Sequence, residues 1–353
     1  KEGVEEKMKV AIITDQHFGF KKGSKLYLDY FQKFYDECFF PTLEKEGITT
    51  VLDLGDTFDN RKGVDSYSLD WAKKCYFDPL RNRSISLVSV VGNHTAYYKN
   101  TNEINTNDLV LREYDNITLL SECQELEIGG LNILFIPWIN PENEAATYKK
   151  IKETKAKVAM GHLELNGFVA THGHVMDAGA DFGCYEKFHQ VFSGHYHTRS
   201  SNGKIYYLGN PYEMFWNDVN DKRGFHIYDT EKLTLKTINN PFQLYKVINY
   251  ADTKRQLTKF DEYRNKIVKV VVRQKSNEKE YNLFMEALSK SNPYDIKVVE
   301  RTDHLIFDGE IVEQTEDTMT LLNMYIDDLE TNLNKNRIKG LVRDLYQEAC
   351  ECT

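Results

Sequence analysis

Five short stretches end in side chains that bind metals or move protons: "TDQH" (14–17), "LGD" (54–56), "VVGNH" (90–94), "MGH" (160–162) and "SGHYH" (193–197). Together they supply Asp15, His17, Asp56, Asn93, His94, His162, His195 and His197. One histidine after a strand is usually a loop residue. Five strand-like runs that each leave a carboxylate, amide or imidazole at the end, mostly beside a glycine, form a pattern. In open α/β sheets, ligands gather at the carboxyl ends of strands. Mixed oxygen and imidazole donors suit borderline divalent ions such as Mn²⁺, Fe²⁺ or Zn²⁺. No cysteine belongs to the set, which argues against a closed structural zinc site. So many donors exceed the needs of one ion, and two ions sharing a carboxylate is the economical reading. Such pairs, ~3.5–4 Å apart, can bind a phosphate, lower the pKa of a bridging water and stabilise attacking and leaving oxygens.

The elements that must position these groups are visible as short apolar, β-branched runs. Strands are expected at 9–15, 49–56, 85–94, 117–120, 131–138, 156–162, 190–197, 204–211 and 223–230. Helical spacing marks 26–47, stopped by Gly47, and 66–80. Strand–helix alternation early and clustered strands later imply a layered α/β unit of about 240 residues. After Pro241 comes a compact strand–helix–strand pattern (266–275, 280–291, 295–301), then helical spacing from about Glu313. In that tail Ile338, Leu341, Val342, Leu345 and Tyr346 recur at three- and four-residue steps and would line one helical face.

Bulk properties narrow the class. At 353 residues two or three units are expected, and 41% hydrophobic content is enough for real cores. No run reaches the ~18 apolar residues of a membrane span. Residues 1–7, "KEGVEEK", show no secretory leader and read as an extension before Met8. Six scattered cysteines read as free thiols in a reducing cytoplasm. A net charge of −9 argues against a generally basic nucleic-acid binder. It leaves room for a local basic face at 254–275, where eight basic residues meet only Asp261 and Glu262. His172 and His174 fall in a Gly-rich insertion and read as loop residues, and His189, His226 and His304 as structural. Tyr97, Tyr98, Tyr212, Phe215 and Trp216 either stack on bases or pack at the core or rim.

The order D-x-H, G-D-x-x-D, G-N-H, G-H, G-H-x-H resembles that of the calcineurin-like metallophosphoesterases. "TDQHFG", "LDLGDTFDNRKG", "VVGNH", "MGHLELNGF" and "FSGHYHT" are similar to the SbcD-type nuclease subunit of the double-strand-break repair complex. "HLELNGF" and "RGFHIYDT" look most like the version encoded by T-even-type bacteriophages. The resemblance implies a metallophosphoesterase β-sandwich flanked by helices over 8–240, a small α/β DNA-binding capping domain over 241–312, and C-terminal helices over 313–353. It assigns Asp15, His17 and His197 to a first metal, Asp56 to the bridge, and Asn93, His162 and His195 to a second. His94 would be the non-ligand histidine that steadies the phosphate or protonates the leaving oxygen. Asp59 and Arg61 would be supporting residues of the site, at the positions that follow the bridging acid. The implied cofactors are two Mn²⁺, with Mg²⁺ or Fe²⁺ as substitutes. The implied partners are DNA and an SbcC-type coiled-coil ATPase held by the C-terminal helices, in a heterotetramer built on a homodimer. The resemblance implies no membrane, and a place in the cytoplasm, that of the bacterial host if the chain is phage-encoded.

One position departs from the family. Thr95 follows "GNH" where the family has aspartate. A carboxylate there would orient the imidazole and favour its charged form, as an acid does in a triad; threonine adds no charge. Two rivals to a DNA nuclease follow. One is a phosphoprotein or small-nucleotide phosphatase on the same scaffold. The other is a weakly active subunit that only binds and positions DNA.

Overall fold

A computed structural model describes residues 8–171, 174–177, 179–251 and 260–300, with scattered positions between 322 and 345. Among them no helix is long and apolar enough to cross a membrane. The chain divides into two compact units. The first runs to Tyr212 and resumes at Asp221–Phe242; the second comprises Glu213–Asn220 and everything from Gln243.

Twelve strands build the two main sheets of the first unit. In chain order they are β1 (Lys9–Ile13), β2 (Thr50–Asp53), β3 (Ser86–Val90), β4 (Ile117–Leu120), β5 (Gln124–Ile128) and β6 (Leu131–Ile136). Then follow β7 (Val158–His162), β8 (Gln190–Gly194), β9 (Ser200–Ser201), β10 (Ile205–Tyr207), β11 (Gly224–Asp229) and β12 (Thr234–Asn239). The first sheet has the order β12-β11-β1-β2-β3-β4, the second β9-β10-β8-β7-β6-β5. Strands β1 to β4 run parallel, as do β6, β7, β8 and β10. Nine runs expected from the sequence are all strands, eight of them trimmed to their paired part.

Successive side chains on a strand face opposite sides. Val10, Ile12, Leu52, Val88 and Val90 therefore meet Ile133, Phe135, Val158, Met160 and Phe192 in a core between the sheets. The other face of the second sheet packs Leu134, Ile136, Ala159 and Val191 with Ile151 of the helix Glu144–Glu153. The other face of the first sheet meets an aromatic layer. Phe18 lies against Tyr35, Tyr76 and Phe77, and Phe39 lies 4.8 Å from Phe225.

Two expected helices carry a proline inside. Pro41 and Pro79 lack the N–H that a helical turn requires. In both places the turn before the proline widens to a π-helix, Tyr35–Phe39 and Lys73–Phe77, and the helix then continues. The sequence pattern was right about the helices and blind to their widened turns.

In the second unit three parallel strands, Tyr245–Tyr250, Ile267–Val272 and Asp295–Glu300, carry the helix Glu278–Lys290. The central strand is buried along its length and packs Val268 and Val270 on Tyr281, Phe284 and Leu288. The segment 213–220 belongs to this unit. Glu213 Oε2 accepts from Leu244 N (2.6 Å) and Tyr245 N (2.9 Å), and Trp216 lies 4.7 Å from Tyr245.

Several sequence expectations change here. Lys269 is buried with its ammonium 4.2 Å from the Trp216 ring, and Lys275 pairs with Glu278 (3.1 Å), so neither presents a bare charge on a basic face. Lys254, Arg255 and Lys259 lie outside the described residues, as do His172, His304 and the segment 346–353. Tyr212 is a core residue, stacked 3.7 Å from Phe31. Tyr97 and Tyr98 are exposed on a short ribbon.

Candidate metal centre

Beyond β1 and β2 the two trailing loops keep pairing. Asp15 N donates to Gly55 O (2.9 Å), His17 N to Asp56 O (2.9 Å) and Phe18 N to Thr57 O (2.8 Å). Along this seam Asp15, His17 and Asp56 adopt left-handed backbone, with φ of 54°, 48° and 52°, and His195 does so at 86°. Each costs a non-glycine residue about 1–2 kcal/mol, a conformation kept only where the surroundings enforce it.

The enforcement is partly steric. A Cβ at Gly92 would strike the Asp56 carboxylate, and one at Gly194 would strike Thr14 and lie 2.9 Å from Asp15 Oδ2. Gly92 and Gly194 are therefore space for a neighbouring loop as much as freedom to turn. Main-chain donors add to this. His195 N donates to both Asp15 carboxylate oxygens (3.1 Å each), and His94 N to Asp56 Oδ1 (2.8 Å).

All eight strand-end residues join one cluster. Three groups offer ligand atoms within 4.8 Å of one another: Asp15, His17 and His197; His17, Asp56 and His94; Asp15, Asp56 and His162. His17 Nε2 faces His197 Nε2 at 3.1 Å. Asn93 Oδ1 lies 2.8 Å from His162 Nε2 and 2.9 Å from His195 Nδ1. Leu54 O, which can only accept, takes His162 Nδ1–H at 2.9 Å and so turns Nε2 towards Asn93 and Asp56.

The charges balance internally. Burial pushes the Asp15 carboxyl up. Burial would raise Asp56 too, but His162, His94 and His17 hold it well below the usual carboxylate range. Burial works against a charged His162, yet the Asp56 and Asp15 carboxylates push it up to about 9. His17 is likewise raised: burial opposes the charge, and Asp59, 3.0 Å from Nδ1, leads the groups that outweigh it. His197 is held well below its ordinary value by burial, then by His17 and Arg223. A protonated His162 thus offsets the charge of the buried carboxylates around it. Divalent cations held by the same oxygen and imidazole atoms would do so instead, and the thiol-free donor set fits borderline ions.

The supporting residues divide. Asp59 joins the cluster twice, through its carboxylate to His17 and through its carbonyl, 2.6 Å from His94 Nδ1. Arg61 stands apart from these contacts; its Nε and Nη1 are buried without a hydrogen-bond partner among the described residues. Thr95 serves the backbone of its own turn. It is fully buried, its hydroxyl accepts from Gly92 N (3.0 Å) and donates to Gly92 O (3.1 Å), and the Asp59 carbonyl orients His94.

Sequence reasoning missed the layer beneath. Asp53 accepts from Gln16 Nε2 (3.0 Å), Thr57 Oγ1 (2.7 Å) and Gly55 N (3.2 Å), tying both ligand loops to one buried carboxylate. The available signal was an acid inside the apolar run "TTVLDLGD", where an unpaired charge is costly. His226 is buried as expected, and burial drops it to about 3.

A family model described as calcineurin-like phosphoesterase matches residues 8–199. The protein named exonuclease subunit 1 of Enterobacteria phage T4 is 30% identical over 312 residues, spanning 87% of this chain and 90% of that one. Two solved structures overlap more loosely. A novel archaeal phosphodiesterase is 14% identical, over 66% of this chain and 99% of that one, with a TM-score of 0.35. The Pseudomonas putida nuclease MPE is 15% identical, over 64% and 87%, with a TM-score of 0.29. The matched span contains all eight strand-end residues, and the chain belongs to the calcineurin-like phosphoesterase family.

Proposed function

We propose that the chain is a two-metal DNA phosphodiesterase, a nuclease subunit that works with an ATPase partner. The observation that carries this is the pair of buried carboxylates, Asp15 and Asp56, which share a ligand group with His162 while each also groups with His17. Asp15, His17 and His197 would hold one ion, Asn93, His162 and His195 the other, with Asp56 between them. Manganese is the preferred ion, with magnesium or iron as substitutes. Such ions, when bound, supply Lewis acidity to a phosphoryl oxygen and bring a water's proton loss towards neutral pH.

The chain's own groups do the rest. The Asp59 carbonyl can only accept, so the proton on that side of His94 stays on Nδ1, and Nε2 is the atom that exchanges a proton with the leaving oxygen. Asp59 also holds the His17 ring in place. Arg61 Nε and Nη1, buried without a hydrogen-bond partner among the described residues, suit a phosphate oxygen. Asp53 keeps both ligand loops in register from below.

The phage relative is an exonuclease subunit, which supports both strand cleavage and a second subunit. We assign the ATPase contact to the apolar stripe of residues 313–353, duplex engagement to residues 241–312, and the cellular role to DNA break repair and recombination. The test is cleavage of duplex and single-stranded DNA under manganese titration, with and without the ATPase. Metal-dependent cleavage of DNA, lost in Asp56→Ala, is expected. Faster hydrolysis of phosphomonoesters than of DNA would instead favour the phosphatase, and no cleavage at saturating metal would overturn the nuclease.

A further inference from the structure

Beside the metal centre, within the first unit, lies a cavity of about 290 Å³ lined in part by Trp138, Tyr148, His162, Glu164 and Tyr185. Its size is near the lower end of small-molecule sites, about 300–1,000 Å³. Trp138 forms a wall shared with the centre: its ring lies 5.3 Å from His195 and 6.2 Å from His162. Trp138 N donates to Val91 O (2.8 Å), which pins this wall to the strand end that carries Asn93 and His94.

We propose that this cavity binds the base of a nucleotide flanking the scissile phosphate, an inference that rests on the nuclease reading above. Three observations converge on a planar, neutral ligand with hydrogen-bonding edges. The walls are aromatic and apolar, as a stacked ring requires. Tyr185 is fully buried, and its hydroxyl has no hydrogen-bond partner among the described residues, a group whose burial is costly until something pairs with it. The polar lining includes Glu144 and Glu164 and no lysine or arginine. Carboxylates in a lining repel a second phosphate and can accept from exocyclic amines. Adenine, cytosine and guanine carry such amines and thymine does not. The phosphate therefore belongs at the metal centre and the base behind Trp138, with His162 on the boundary of both.

The test uses the full chain with manganese and three substrates. These are an intact oligonucleotide, the same oligonucleotide with an abasic residue on either side of the cleaved bond, and bis(p-nitrophenyl) phosphate, which has no base. Loss of one stacked base typically corresponds to about ten-fold or more. One abasic position is expected to lower kcat/KM by that factor in the wild type. In Tyr148→Ala the penalty shrinks to within about two-fold, because the intact substrate loses what the abasic one lacked. Tyr185→Phe keeps the ring, and raises KM for the intact oligonucleotide without changing it for the abasic one. Equal cleavage of intact and abasic DNA by the wild type would overturn the proposal, as would an abasic penalty undiminished in both variants. Hydrolysis of the base-free diester in those cases would leave the phosphodiesterase reading standing. Wild-type protein inactive on all three substrates would overturn that reading as well.

Discussion

Asp53 offers the sharpest check on how the centre is held together. It is fully buried, and Gln16 Nε2, Thr57 Oγ1 and Gly55 N all donate into its carboxylate. Gln16 is fixed in turn by the Tyr35 hydroxyl (2.6 Å), and Thr57 by Asn107 Nδ2 (3.2 Å). An asparagine at this site has one acceptor oxygen, and its amide nitrogen must face at least one donor. One buried group left unpaired costs about 1–3 kcal/mol, a sizeable part of the ~5–15 kcal/mol that holds a typical domain. Loosened loops should also weaken manganese binding by roughly 10- to 100-fold, as loss of outer partners does in metal sites. Asp53→Ala, which orphans three donors, should be worse on both counts.

A pH series adds a signature. Burial pushes Asp53 up to about 7, against the three donors. The folded metal-free chain therefore keeps a proton that the unfolded chain releases above ~4. That contribution is whole below ~4 and is lost as pH rises to about 7, at up to ~1.4 kcal/mol per unit. Asp53→Asn cannot titrate, so the wild-type advantage in denaturant unfolding must shrink across that window. A constant difference, or a variant within ~0.5 kcal/mol of wild type that binds manganese normally, would refute the role given to Asp53.

Other outcomes follow from the same geometry. Thr95→Asp should lose about 1–3 kcal/mol and gain no rate, because a carboxylate cannot donate to Gly92 O; faster turnover at unchanged stability would contradict this. Asp56→Ala should abolish binding of the metal pair, whereas His197→Ala should remove mainly one ion, both read by metal analysis of dialysed protein. Because the Asp56 and Asp15 carboxylates hold His162, against burial, at about 9, manganese binding at pH 7 should expel protons and strengthen as pH rises. Calorimetry in two buffers of different ionisation enthalpy detects the release, and identical heats would rule it out. Gly194→Ala should disrupt the centre through Thr14 and Asp15, which a drop in manganese affinity and melting temperature would register.

What the sequence disclosed depended on whether a property was local. The strand-end motifs are contiguous, so Asp15, Asp56, Asn93 and the five histidines were legible, and the structure gathers all of them. The left-handed backbone at Asp15, His17 and Asp56 was not legible, because nothing in "TDQH" or "LGD" marks a non-glycine residue held there by a neighbouring loop. Gln16, Thr57 and Asn107 read as ordinary loop polars until distant segments meet around Asp53 and Ser89. Thr95 was judged by what it replaced rather than by what it touches. Tyr212 sat in an aromatic turn that read equally as a rim, and only tertiary packing turns it inward. Lys269 read as surface charge although every residue of its strand is buried.

The split of the second unit into Glu213–Asn220 and the chain from Gln243 has a consequence for synthesis. On the ribosome, Trp216 emerges about fifty residues before Lys269, against which its ring finally lies. At ~5–20 residues per second that gap is roughly 3–10 s. In that interval β11 and β12 emerge and complete the first sheet, while Glu213 waits for the main-chain donors of Leu244 and Tyr245. The nascent chain thus finishes one unit while displaying an aromatic hook for the next, a window in which chaperone capture or mispairing is most probable. A fragment that starts at Gln243 is made without that hook, and leaves the start of its first strand with two donors that have lost their carboxylate.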